Sequence, residues 1–328
     1  MAIVAGDVGG SKTLLAVVEV HGGEVQVLAE RRYASAEYPG LAPIIREFLD
    51  SIGTPVDRAC LGVPGAVVNR GCRTPNLPWH LHEDVLQDET AIPNIILVND
   101  FAAAAMGVVA LPAEALAPIQ EGTLRVHGPR AVLGAGTGLG QALLWWDGHR
   151  YRVQATESGH CDFAPQGDLQ RALLAHLERE LAHVSVERVV SGPGLVRVYR
   201  FLVDQGMPAV PSVQQALEAG DPAEVIALLA MDEQEPTCDA ALDCFIRAYG
   251  AEAGNLALRT LPLGGVYVAG GIAPKILPRL QDGTFLRAFR HKGRLSDLMA
   301  TIPVHVVLEE RAGVFGAALL ATTGDRVL

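Results

Sequence analysis

Residues 2–30, "AIVAGDVGGSKTLLAVVEVHGGEVQVLAE", read as three strands joined by two glycine turns. Apolar and small residues run through "AIVAGD", "TLLAVVEV" and "VQVLAE", and the turn formers "GGSK" and "HGGE" interrupt them, so the stretch predicts a β-meander. The same plan returns at residues 131–156, "AVLGAGTGLGQALLWWDGHRYRVQAT". Aligning Gly9 with Gly138 also aligns Leu14 and Leu15 with Leu143 and Leu144. A repeat of this length predicts two related domains and not a solenoid of short units.

Helical stretches and further strands follow each meander. "RACLGVPGAV" and "NIILVND" read as strands flanking a loop, "NRGCRTPNLPWHL"; later "GGVYVAGG" and "IPVHVVLEE" read the same way. Alternating strands and helices predict an α/β fold with a mainly parallel sheet beside each antiparallel meander. With 328 residues the chain exceeds the size of a single growing core. The expected division is a smaller domain of residues 1–110 plus a C-terminal helix at 311–328, a larger one of residues 111–310, and a cleft between them. Ligands of such folds sit at the carboxyl ends of strands, and the loops at 6–12, 99–100, 134–140 and 270–271 all fall there.

Composition excludes several classes of partner. The net charge of −11 opposes nucleic acid and anionic membrane surfaces, and no basic run reverses it locally. Five widely spaced cysteines form neither a disulfide framework nor a CxxC pair, which suits a reducing cytoplasm. The N-terminus begins directly with a strand and has no signal-peptide pattern. Residues 101–119, "FAAAAMGVVALPAEALAPI", are too short and too interrupted for a membrane span and predict a buried helix followed by a loop.

The chemistry-bearing residues cluster in those loops. "GDVGGSK" and "GAGTGLG" join antiparallel strands, so neither is a Walker loop, yet their glycines let backbone N–H groups approach phosphate oxygens. Asp7 in the first turn would repel phosphate unless a cation intervened, which points to Mg²⁺ held mostly through water; it also reads as an ordinary turn aspartate. Lys12 reads equally as a phosphate partner or a solvated hairpin residue. Asp100, at a strand end and a helix start, is either a helix cap or a base for an attacking hydroxyl. Glu157 and His160, in "TESGHCDFAP", form an acid–imidazole pair suited to a polyol; no further ligands at zinc spacing accompany them. Ser185 is a candidate cap for a helix bearing Glu187, and Gly192-Pro193-Gly194 opens the next helix.

"GDVGGSK", "LVNDFAA", "GAGTGLG", "ESGHCDFAP", "SVERVVSGPGLV" and "GGVYVAGGIAPK" together resemble the bacterial glucokinases in order and spacing, over nearly the whole chain. The resemblance implies the two-domain hexokinase/actin-like (ribonuclease H-like) α/β fold and transfer of phosphate from ATP, with Mg²⁺, to the 6-hydroxyl of glucose. It implies Asp100 as the base and Asn99, Gly138, Glu157, His160 and Glu187 as sugar-binding residues. It assigns Gly6, Asp7, Val8, Gly9, Gly10, Ser11, Lys12, Gly136, Thr137, Gly270 and Gly271 to ATP, with Asp7 also beside the metal. Ser11-Lys12-Thr13-Leu14 departs from the usual glucokinase turn toward the related ROK kinases, whose cysteine-rich zinc motif is absent here. A kinase for another hexose and a non-catalytic sugar sensor are the alternative readings. An apolar-rich composition, with mean hydropathy +0.24, adds the expectation of a homodimer.

Overall fold

The computed structural model describes residues 2–75, 77–220, 222–232 and 235–324. Asn76 in the expected loop and residues 325–328 of the expected C-terminal helix lie outside the described residues. The chain separates into two compact units. Unit 1 comprises Met1–Leu116, Ala142–Ala155 and Glu309–Leu328, and unit 2 comprises Ala117–Gln141 and Thr156–Leu308.

The opening meander forms as the sequence predicts: β1 (Ile3–Val8), β2 (Lys12–His21) and β3 (Glu24–Ala34). β1 pairs antiparallel with β2, which pairs antiparallel with β3. On its other edge β1 pairs in parallel with β4 (Arg58–Val63), and β4 in parallel with β7 (Asn94–Asn99), giving the order β3-β2-β1-β4-β7. Val4, Val8, Leu15 and Leu61 from these strands join Ile44, Ile45 and Phe48 of the helix Leu41–Ile52 in one buried cluster. That helix carries an apolar stripe at helical spacing, and Gly53 closes it in the left-handed region (φ 66°).

Two helices, Asp100–Gly107 and Ala312–Thr323, cross at backbone contact. A methyl group on Gly107 would overlap the Ala312 carbonyl, and one on Gly316 would overlap the Ala103 carbonyl. Both helices are alanine-rich and almost wholly buried, because small side chains let them approach so closely.

The second sheet repeats the arrangement. Its order is β11 (Tyr151–Thr156), β10 (Leu139–Trp146), β9 (Arg130–Ala135), β12 (Val266–Ala269), β13 (Val304–Val307) and β8 (Leu116–Gln120). β12 pairs in parallel with both β9 and β13.

Three local expectations are corrected. The expected loop "NRGCRTPNLPWHL" contains β5 (Gly71–Arg73) and β6 (His80–His82), an antiparallel pair. A tight turn with Asn69 and Arg70 in the left-handed region precedes them, and the buried Glu83 accepts a 2.8 Å hydrogen bond from Arg70 Nε that anchors it. Residues 116–120, expected as loop, form β8, whose buried Gln120 donates to the Met299 carbonyl at 2.9 Å. Ser185 makes no side-chain cap at the short 3₁₀ turn Val186–Arg188; the capping serine is Ser191, which accepts from Gly194 N at 3.0 Å and starts the helix Gly192–Asp204.

Because the obstruction at Gly316 is backbone, Gly316→Ala has no cheap relaxation. We expect its thermal midpoint to fall by about 4–10 °C. Gly40→Ser, where a new side chain meets open space, should melt with the parent in the same scan. Equal midpoints for Gly316→Ala and the parent would remove this contact from the account of the fold.

Candidate active site

In unit 1 the assigned residues collect at the carboxyl ends of β1 and β7. Asp7 pairs with Gly62 of β4, and Asn99 with Val63, so both stand at nearly one level of the sheet, two strands apart. Two strand spacings amount to about 10 Å. Gly6 and Val8 are buried in β1, while Gly9, Gly10, Ser11 and Lys12 make the turn, closed by Gly9 N donating to Lys12 O at 2.8 Å. Ser11 and Lys12 are exposed.

The buried Ser35 grips that turn from behind. Its hydroxyl donates to the Gly9 carbonyl at 2.8 Å and its amide to the Ser11 carbonyl at 3.1 Å. With that proton spent, the Thr13 hydroxyl, 2.9 Å away, is the donor to Ser35 Oγ. Nothing local to "YASAEY" signals this role; it depends on a contact across the sheet.

Asn99, not Asp100, caps the helix. Asn99 Oδ1 accepts from Ala102 N at 3.0 Å and Nδ2 donates to Gly65 O at 3.2 Å. Each group retains capacity for one more partner. Asp100 is the first helical residue, with Oδ1 accepting from Phe101 N at 2.7 Å. A side chain on Gly62 would press on Asp100 Cα at 3.3 Å, so a glycine there lets the helix start lie on β4.

Asp7 is the electrostatic anomaly of unit 1. Its carboxylate lies against Gly313, in the first turn of the helix Ala312–Thr323. Burial pushes it up from 3.8 to about 6, with no hydrogen bond or opposite charge among the causes. A half-buried carboxylate so poorly compensated fits a cation arriving with a ligand.

Unit 2 gathers the other assigned residues around the start of β10. Glu187 Oε2 accepts from Leu139 N at 2.9 Å and would lie 2.5 Å from any β-carbon at position 138, so Gly138 is what admits the glutamate. Gly159 packs on the Leu139 carbonyl, bringing the 3₁₀ turn Ser158–His160 alongside. His160 Nε2 stands 4.0 Å from Glu157 Oε2, with the side chains 63% and 71% exposed, so both can meet a ligand. Cys161 is exposed as well, and its carbonyl accepts from Val186 N at 2.9 Å, tying this turn to the Glu187 turn.

The Gly136–Thr137–Gly138 turn is closed by Gly136 N donating to Gly138 O at 2.8 Å. Gly192 N, at the start of the helix Gly192–Asp204, donates to the Gly136 carbonyl at 2.8 Å. Gly270, at φ +83°, lies against Ala135 O, while Gly271 faces open space. Thus the turns after β9 and β12 are neighbours, as the parallel register Gly134↔Ala269 requires.

Among the described residues no helix is long and apolar enough to cross a membrane, and no group of three or more His, Cys, Asp or Glu is placed to hold a metal.

The chain resembles known proteins along almost its full length. The Glucokinase family model matches residues 4–324. A glucokinase of Nostoc punctiforme is 42% identical over 335 residues, covering 97% of this chain and 98% of that one. A glucokinase from an Antarctic psychrotroph superposes with a TM-score of 0.85 at 29% identity, over 98% and 99% of the two chains. A ROK family glucokinase from Streptomyces griseus, in complex with glucose and AMPPNP, shares the fold, with a TM-score of 0.67 at 23% identity over 99% and 100%. The family match and the fold likeness therefore define a sugar kinase of the actin-like two-domain class. Within that class, the chain belongs to the glucokinase family.

The raised Asp7 carboxyl has a signature in the ligand-free protein. A folded value of about 6 against 3.8 unfolded means the native state holds a proton the unfolded chain releases. This group's contribution to stability is therefore complete below pH 3.8 and lost as pH rises through about 6. Asp7→Asn should raise the thermal midpoint by about 1–3 °C at pH 8 and by about a third of that at pH 4.5. An equal shift at both pH values would show that Asp7 is not a penalised buried charge.

Proposed function

We propose that the protein transfers the γ-phosphoryl group of ATP to the 6-hydroxyl of D-glucose, with Asp100 as general base. The observation that carries this reading is the division of labour at the helix start. Asn99 performs the cap, so Asp100 is not needed for that purpose, and it stands at the end of a parallel strand where ligands of α/β sheets bind. The glucose and AMPPNP complex of the Streptomyces griseus relative supports both substrates for the same fold.

In this mechanism Asn99, Glu157, His160 and Glu187 hold the sugar hydroxyls, with Gly138 keeping the space that Glu187 occupies. The Gly9–Lys12 turn and the Gly136–Gly138 turn offer backbone N–H groups to the phosphates, and Gly270 and Gly271 lie beside the nucleoside. Asp7 would hold Mg²⁺ as a single half-buried carboxylate, leaving the rest of the ion to water and phosphate oxygens. The ion supplies neutralisation of charge on the transferring phosphoryl group. Asp100 accepts the proton of the 6-hydroxyl as its oxygen bonds to phosphorus. The protein acts in the cytoplasm, in sugar catabolism by glycolysis, and as a homodimer.

Asp100→Asn keeps the size and can still hydrogen-bond the 6-hydroxyl but cannot take its proton. We expect kcat to fall by about 10²–10⁴-fold, with glucose affinity by calorimetry within about tenfold of the parent. A kcat within threefold would remove Asp100 from the chemistry. For the assembly, light scattering at micromolar concentration should return twice the chain mass of 34.7 kDa; a monomeric mass overturns the dimer.

A further inference from the structure

The helix Pro236–Thr260 buries Tyr249 completely, and the site described above does not use it. The ring packs edge-on against Phe245 and Phe285, with centroids 5.8 and 5.7 Å away. Gly250, the next residue, lets this helix press against the helix Thr284–Arg290, since a methyl there would overlap the Phe285 carbonyl. The phenol therefore has little freedom to move.

Its hydroxyl meets two backbone groups. It accepts from Ala135 N at 3.1 Å and donates over a longer 3.5 Å to Ala269 O. Ala135 is the last residue of β9 and Ala269 the last of β12. The turns 136–138 and 270–271 begin at the next residue of each strand. Only a group that both accepts and donates can serve this amide and this carbonyl together. Burial pushes the phenol's ionisation far above neutrality, so the proton stays on the oxygen.

We infer that Tyr249 is a positioning residue for the nucleotide: from within the core its hydroxyl fixes the separation of the ends of β9 and β12, so that the two glycine turns accept one ATP. The inference rests on the reading of those turns as the nucleotide site, and the experiment separates the two.

The probe is AMPPNP with Mg²⁺, titrated by calorimetry into the full chain, with D-glucose titrated in parallel. Tyr249→Phe keeps the ring and removes the hydroxyl, leaving a buried amide and carbonyl short of a partner. AMPPNP affinity and the KM for ATP should weaken by about five- to twentyfold, while glucose affinity stays within twofold. Phe245→Leu loosens the same core without touching the hydroxyl; it should lower the thermal midpoint and leave AMPPNP affinity within twofold. Gly271→Leu projects a side chain into open space beside the turn and should abolish AMPPNP binding.

If Gly271→Leu binds AMPPNP like the parent, the nucleotide reading of the turns fails. If Gly271→Leu loses AMPPNP but Tyr249→Phe binds it within twofold of the parent, the inference alone is overturned. Equal weakening by Phe245→Leu and Tyr249→Phe also overturns it, by showing a general loosening of the core. Should Tyr249→Phe not fold, 4-aminophenylalanine at position 249 keeps a donor for Ala269 but accepts poorly from Ala135, and is judged by the same thresholds.

Discussion

The contact between the helices Asp100–Gly107 and Ala312–Thr323 is the constraint on which the rest of unit 1 depends. It is a meeting of backbones: Gly107 under the Ala312 carbonyl, Gly316 under the Ala103 carbonyl. One helix begins with Asp100, and the other lays Gly313 against the Asp7 carboxylate. The same small-residue packing therefore holds the helix start at Asp100 in place and brings a helix against Asp7, which the register of β1 positions. It also makes Asp7 costly, because a helix close enough to seat Gly313 on the carboxylate leaves it only partly solvated. The proposed cation at Asp7 would relieve that cost.

Much of this was legible in the sequence, and the legible part has a common cause. The meander at residues 2–30 is local: strand alternation and glycine turns lie within thirty residues and fold as read. Its repetition at 131–156 correctly announced a second sheet, whose order β11-β10-β9-β12-β13 reproduces β3-β2-β1-β4-β7. Asp7, Asn99, Asp100, Gly136 and Gly270 fall at strand ends because hydrophobic runs stop there.

What sequence reasoning missed depends on distant partners. Residues 116–120 become a strand through an edge and a buried glutamine satisfied by residues nearly two hundred positions away. Ser35 looks like any loop serine until it is seen holding Gly9 and Ser11 from behind. Ser185 is the serine that the sequence suggests as a cap; the capping serine is Ser191, whose hydroxyl donates to the Glu187 carbonyl at 2.7 Å while accepting from Gly194 N. Glu187 itself reads as a surface acid, because the amide it satisfies, Leu139 N, belongs to another segment.

The two sheets share a plan but have diverged in electrostatics, and the divergence follows from what each turn must tolerate. β1 carries Asp7 one residue before its end, and the turn after β9 carries no ionisable residue at Gly136, Thr137 or Gly138. Acids at both places would repel a polyphosphate twice over, in a chain whose net charge is already −11. A single half-buried carboxylate suits a cation that comes with the ligand, and in the proposed function the neutral turn contributes only N–H groups and close approach. Glu187 is an acid beside Gly138, yet its Oε2 is already bound to Leu139 N, with the remaining oxygen available to accept from a hydroxyl. A carboxylate held in this way favours a polyol over an anion, which agrees with the proposed placing of sugar at Glu187 and phosphate at the neighbouring turn.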